Sequence, residues 1–131
     1  MNELAKEILD TVEVGALATV NIDRTPLVTP LHFARFGNSI IWISEPTARH
    51  SENAFRNGKA EFVVWDGKKR AVFLKTNVTE LPESEKEAAM AAYKEKLADF
   101  MPRCQNPQIY IAPIGELDEK TTTGNWLHFI A

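Results

Sequence analysis

The chain has 131 residues, of which 44% are hydrophobic and 25% charged, and a formal net charge of −3. That length suits one domain with one core. The composition excludes a disordered chain, and an acidic balance with scattered Lys and Arg argues against a nucleic-acid partner.

Leu4, Ile8, Leu9 and Val12 recur at helical spacing and predict an amphipathic helix over residues 3–12, stopped by Gly15. Residues 16–22 are strand formers. Residues 23–26 read as a turn and 27–33 as a second strand. Residues 36–38 then turn the chain into 39–44, a strand apolar on both faces. Pro46 suits a helix entrance and Gly58 the position past its end, so 47–57 read as a helix capped by Thr47. Strands over 60–65 and 71–81 flank an Asp66-Gly67 turn, with Lys68, Lys69 and Arg70 as its solvated tip. Ser84 and Glu87 have capping-box spacing ahead of a helix on which Met90, Tyr93, Leu97 and Phe100 share a face, ended by Pro102. A sixth strand covers 108–114 and a short seventh 126–130.

Hairpin-ordered strands with interspersed helices indicate an α+β fold in a single domain, 1–131. An antiparallel set of six strands avoids exposed edges by curling into a barrel with flanking helices. One face of strand 39–44 fills the barrel. The other needs a helix or a second subunit, which is the reason to expect a homodimer.

The lone cysteine, Cys104, allows neither an internal disulfide nor a Cys-based zinc site, and no histidine spacing supports another metal centre. Residues 1–10 lack the apolar core of a signal peptide, and no stretch reaches the length of a membrane span. A cytoplasmic protein without a membrane partner is therefore expected. No P-loop, Rossmann or Gly-x-Ser-x-Gly motif is present, and no catalytic residue stands out.

The informative segment is 44–53. Arg49 and His50 fall in the first turn of a helix, where the dipole disfavours cations. A bound anion resolves the conflict by meeting the free N–H groups and both side chains, with Ser51 and Asn53 as further donors. A solvated helix start is the competing reading. His32 and His128 read as half-exposed or hydrogen-bonded strand residues. Trp126 follows a polar approach and serves either as a platform for a flat ligand or as an anchor for the tail.

Ala18-Thr19-Val20, then Pro26-Leu27-Val28-Thr29-Pro30-Leu31, Ile41-Trp42-Ile43-Ser44, Arg49-His50-Ser51-Glu52-Asn53-Ala54-Phe55 and a strand over 60–64 together resemble the pyridoxamine 5′-phosphate oxidase-like, FMN-binding split barrels. The likeness is strongest over residues 15–66. It implies a flavoprotein that holds FMN in a groove at a homodimer interface. Arg49 and His50 would hold the phosphate, with His50 standing where the family commonly has lysine and Ala54 where a larger apolar residue is usual. The backbone of Thr29, Pro30 and Leu31 would lie along the ring, beside Ile43 and Ser44, and Trp126 would reach the partner's cofactor. The implied activity is an oxidoreductase or reductase on an unidentified small molecule. The alternatives are a non-enzymatic binder of flavin, F420 or haem (with His32 or His128 as axial ligand), or a ligand-free dimeric module. Oxidation of pyridoxamine 5′-phosphate itself is disfavoured, because no basic residues for a second phosphate are apparent.

Overall fold

Alternating burial along the strands sorts the chain into two sheets. The computed structural model describes residues 1–131. Helix α1 (Glu3–Thr11) leads into β1 (Val14–Val20), β2 (Pro26–His32), β3 (Ala34–Phe36) and β4 (Ser39–Ser44). Helix α2 (Arg49–Asn57), β5 (Lys59–Trp65), β6 (Ala71–Asn77) and β7 (Thr79–Glu80) follow. A 3-10 turn (Glu83–Glu85) enters α3 (Lys86–Leu97), and β8 (Gln108–Pro113), β9 (Glu116–Leu117) and β10 (Trp126–Ile130) complete the chain.

The fold is α+β, but the strands do not form one antiparallel meander. A six-stranded sheet has the order β2-β1-β5-β6-β10-β9, and a four-stranded sheet the order β3-β4-β8-β7. The larger sheet is mixed, because β10 runs parallel to β6. The chain leaves it at Phe33, so β4 finds its partner in β8 rather than in β5. The stretch expected as one strand over 71–81 also divides. Val78 donates its N–H to Gly58 O at 2.7 Å, and Thr79–Glu80 pair with β8 in the other sheet.

Strand β4 is apolar on both faces because it separates two cores. Ile40 and Trp42 join the main cluster with Phe33, Phe62 and Tyr110, and Trp42 stacks on Phe62 at 6.1 Å. Ile41 and Ile43 face Ala89, Tyr93 and Leu97 of α3. A helix therefore covers the second face of β4, and that strand does not itself call for another subunit. Helix α3 differs from its expected form. It starts at Lys86 without a side-chain cap, so Ser84 and Glu87 form no capping box. Its buried stripe is Ala89, Tyr93 and Leu97, while Phe100 lies beyond its end. The carbonyls of Leu9 and Phe33 accept from Lys96 Nζ at 2.8 and 3.0 Å, which fastens α3 to α1 and to the crossover between the sheets.

Two local expectations change as well. Gly15 lies inside β1 rather than ending α1, and a side chain there would strike the Phe62 ring. Arg70 is no solvated tip. It pairs with Asp66 at 2.7 Å and with Glu7 of α1 at 2.6 Å.

Gly115 enters β9 with φ +79, and a methyl group there would run into the Ile130 carbonyl. Gly115→Ala combines that backbone clash with a left-handed conformation. It is expected to destabilise the protein by about 2 kcal/mol, read as a lowered midpoint in chemical denaturation.

Candidate functional site

The N-terminus of α2 sits where the two sheets part. Ala48, not Thr47, is its N-cap, and no side chain caps it. The first helical hydrogen bond runs from Glu52 N–H to Ala48 O at 3.0 Å. The N–H groups of Arg49, His50 and Ser51 precede it and have no partner within the protein, which is the donor array that favours an anion. Arg49 is exposed and makes no ion pair.

The helix is held there by polar contacts. Asn53 Nδ2 donates to Thr19 Oγ1 at 3.1 Å and to Asn21 Oδ1 at 2.9 Å. Arg56 donates to Asn53 Oδ1 at 2.9 Å and to Val20 O at 3.0 Å. Asn53 thus spends its hydrogen-bonding capacity on fastening α2 to β1. The Ser51 hydroxyl is also turned inward. It is buried without a hydrogen-bond partner, as is the Tyr110 hydroxyl. The two lie near enough for Ser51 to offset part of the rise that burial imposes on Tyr110.

Beside this terminus opens a cavity of about 320 Å³, at the lower end of the range for small-molecule sites. It gathers six of the residues expected from sequence: Thr29, Pro30, Leu31, Ile43, Ser44 and His50. Arg49 stands outside its wall. Trp126 does not join it within one chain. It borders a separate apolar cleft with Trp65 and Phe73, where its ring lies 5.9 Å from that of Phe73. A larger groove of about 600 Å³ crosses the outer face of the six-stranded sheet between Pro26 and Ile130 and has no aromatic side chain.

The rest of the cavity wall was not anticipated. After α3 the segment 98–107 has no regular structure, and its residues Phe100, Pro102, Arg103 and Cys104 line the cavity. Phe100 stacks on His32 of β2 with centroids 3.9 Å apart. Further on, Asn106 N–H donates to both carboxylate oxygens of Glu45, at 3.2 and 3.1 Å. The segment is therefore a strap joining one sheet to the other. Its only sequence signal is a stretch without periodicity between Pro102 and Pro107. Burial, followed by the Glu45 carboxylate, pushes the Cys104 thiol up, so it stays protonated and unsuited to nucleophilic attack.

The chain matches the family model described as pyridoxamine 5′-phosphate oxidase over residues 1–113. It belongs to the pyridoxamine 5′-phosphate oxidase family. The match reaches well beyond the stretch 15–66 in which the sequence resemblance is strongest. No curated protein matches the chain. Among solved structures, an FAD-binding protein from Mesorhizobium loti is 22% identical with a TM-score of 0.69, covering 87% of this chain and 88% of its own. A haem-binding protein from Mycobacterium smegmatis is 18% identical with a TM-score of 0.71, covering 86% of this chain and 50% of its own, so this chain spans half of that protein. An F420 reductase is 18% identical with a TM-score of 0.66, covering 82% and 90%. These likenesses share the family fold across differing ligands. No helix of the chain is long and apolar enough to cross a membrane.

His50 Nε2 lies 2.9 Å from Ser44 Oγ, and burial lowers its pKa from 6.5. The folded state therefore favours the neutral ring, and the unfolded chain binds more protons as pH falls through that window. His50 contributes stability that is present above about pH 6.5 and lost below it. Denaturation midpoints at pH 7.5 and 5.5 should fall less on acidification in His50→Gln than in the native protein. Equal falls would contradict the assignment.

Proposed function

We propose that the protein is an FMN-binding flavoprotein acting as an oxidoreductase or reductase on a small molecule. One observation carries this reading: three unpartnered N–H groups at the start of α2 adjoin a cavity whose wall includes Ala48 and His50, and Arg49, exposed and without an ion pair, lies in the same turn. A phosphate fits that array. Ala48 leaves the helix terminus open, and Arg49 supplies a permanent charge. Thr29, Pro30 and Leu31 on one side and Ile43 and Ser44 on the other would flank the ring. His50 would become a charged donor once a phosphate dianion offsets the cost of its burial. Bound flavin supplies the capacity to carry an electron pair, while these residues bind and orient it. Asn53 and Ser51 support the site from behind rather than touching the ligand.

Haem is the second reading, because His32 lies on the cavity wall, whereas His128 does not. A cytoplasmic setting completes the proposal and accords with the single free thiol of Cys104.

The absorbance spectrum of the purified protein separates flavin from haem. Titration then locates the phosphate. Arg49→Ala should weaken FMN at least about 10-fold, the cost of a charge-assisted hydrogen bond, and leave riboflavin within about twofold. Equal losses for both ligands would refute the placement.

The same proposal includes a homodimer. The outer face of the six-stranded sheet exposes Val28, Trp65, Trp126 and Ile130 at 65%, 56%, 54% and 44%, apolar side chains that a second copy would cover. The pairs Val14–His32, Ala16–Pro30 and Ala16–Val63 place Pro30 and His32 on this face. Both residues also line the cavity, so a second copy seated here would close the site. Light scattering should give twice the chain mass of 14.7 kDa. Trp65→Glu should produce a folded monomer with weakened flavin binding, whereas a native monomer would overturn the dimer.

A further inference from the structure

The strap carries an arginine that the fold does not use. Two contacts hold the segment at its ends, the Phe100–His32 stack on one sheet and the Asn106–Glu45 bonds beside the other. Arg103 lies between them, on the cavity wall, exposed and without an ion pair or hydrogen bond. The other arginines with structural roles are all engaged: Arg35 with Asp10, Arg56 with Val20 and Asn53, and Arg70 with Asp66 and Glu7. Glu45, the carboxylate on the same wall, makes no ion pair with Arg103 and accepts instead from Asn106 N–H.

The route into the strap is strained. Helix α3 ends at Ala98 with φ 54 and ψ −122, a conformation costly for any residue with a side chain. Such a cost persists where the surrounding structure imposes it, commonly at binding sites. Here it turns the chain from α3 towards His32 and so places Arg103 over the cavity.

We propose that Arg103 binds a second anionic group in this cavity, in addition to the phosphate assigned to Arg49. The inference rests on the flavin reading above. Planar recognition of a carboxylate or phosphate is the chemistry a guanidinium performs best. Leu31, Ile43, Pro102 and the edges of the His32–Phe100 pair supply apolar walls suited to a flat body. The group therefore belongs either to a small flat acid bound beside the flavin or to the second phosphate of a dinucleotide flavin.

The test uses FMN-loaded protein, native and Arg103→Met, titrated with benzoate and with its neutral counterpart benzamide while the flavin absorbance is followed. Affinities for FMN and FAD are measured in parallel. Benzoate is expected to bind about 10-fold more weakly to Arg103→Met, with benzamide and FMN unchanged. A selective loss of FAD relative to FMN, without a change for benzoate, would support the proposal and assign the anion to the cofactor. Native protein that takes up FMN, with a variant that matches it for benzoate and for the FMN-to-FAD ratio, would overturn the role of Arg103 alone. Native protein that takes up no flavin would remove the site reading and this inference with it.

Discussion

The cavity exists in its present form because α2 is fastened to β1 by side-chain amides and hydroxyls. Asn53 binds Thr19 and Asn21 at once, and Arg56 holds the remaining oxygen of Asn53 while reaching the Val20 carbonyl. Apolar packing alone could let a nine-residue helix slide or rotate. Directional bonds to fixed strand positions do not. With its axis locked, the helix holds its free N–H groups in one fixed direction beside the cavity.

Two covers complete the architecture around this point. Helix α3 shields the outer face of β4, so the smaller sheet is buried on both sides. The larger sheet has only its inner face covered, by the main core. The smaller sheet still reaches the cavity through Ile43 and Ser44, while the larger one leaves Trp65 and Trp126 exposed on its outer face. Lys96 shows how closely the covers depend on one another. It reaches two carbonyls across the Phe33 ring, 3.6 Å from its centroid, and burial lowers its pKa to about 8.

Much of this was legible in the sequence, for physical reasons that also mark where it stopped. Period-two and period-3.6 patterns are local, and they place β1, β2, β4, β5, α1 and α2 to within a few residues. The odd sign of charge at Arg49 and His50 is local too, and it pointed to the helix start around which six of the expected residues gather. Pairing between sheets is not local. Nothing near Ile40 or Trp42 says whether β4 will meet β5 or β8, and nothing near Phe73 reveals a parallel neighbour 55 residues later (Phe73 and His128 are in register). Side-chain direction was equally hidden. Ser51 and Asn53 have the right chemistry for an anion site, but helical rotation turns both inward. The strap was missed because irregular backbone has no periodicity to read. Its position follows from contacts with His32 and Glu45, which are distant in sequence.

The placement of β10 between β6 and β9 has a consequence for how the molecule comes together. Its partners in β6 lie more than fifty residues upstream, so closing this pairing costs more chain entropy than any neighbouring hairpin. During synthesis the β1–β2 and β5–β6 hairpins can form early, while the flank of β6 waits for the final strand to emerge. Until then an open row of peptide groups is available to other chains. Pairing of β10 is thus also the step that covers the open flank of β6.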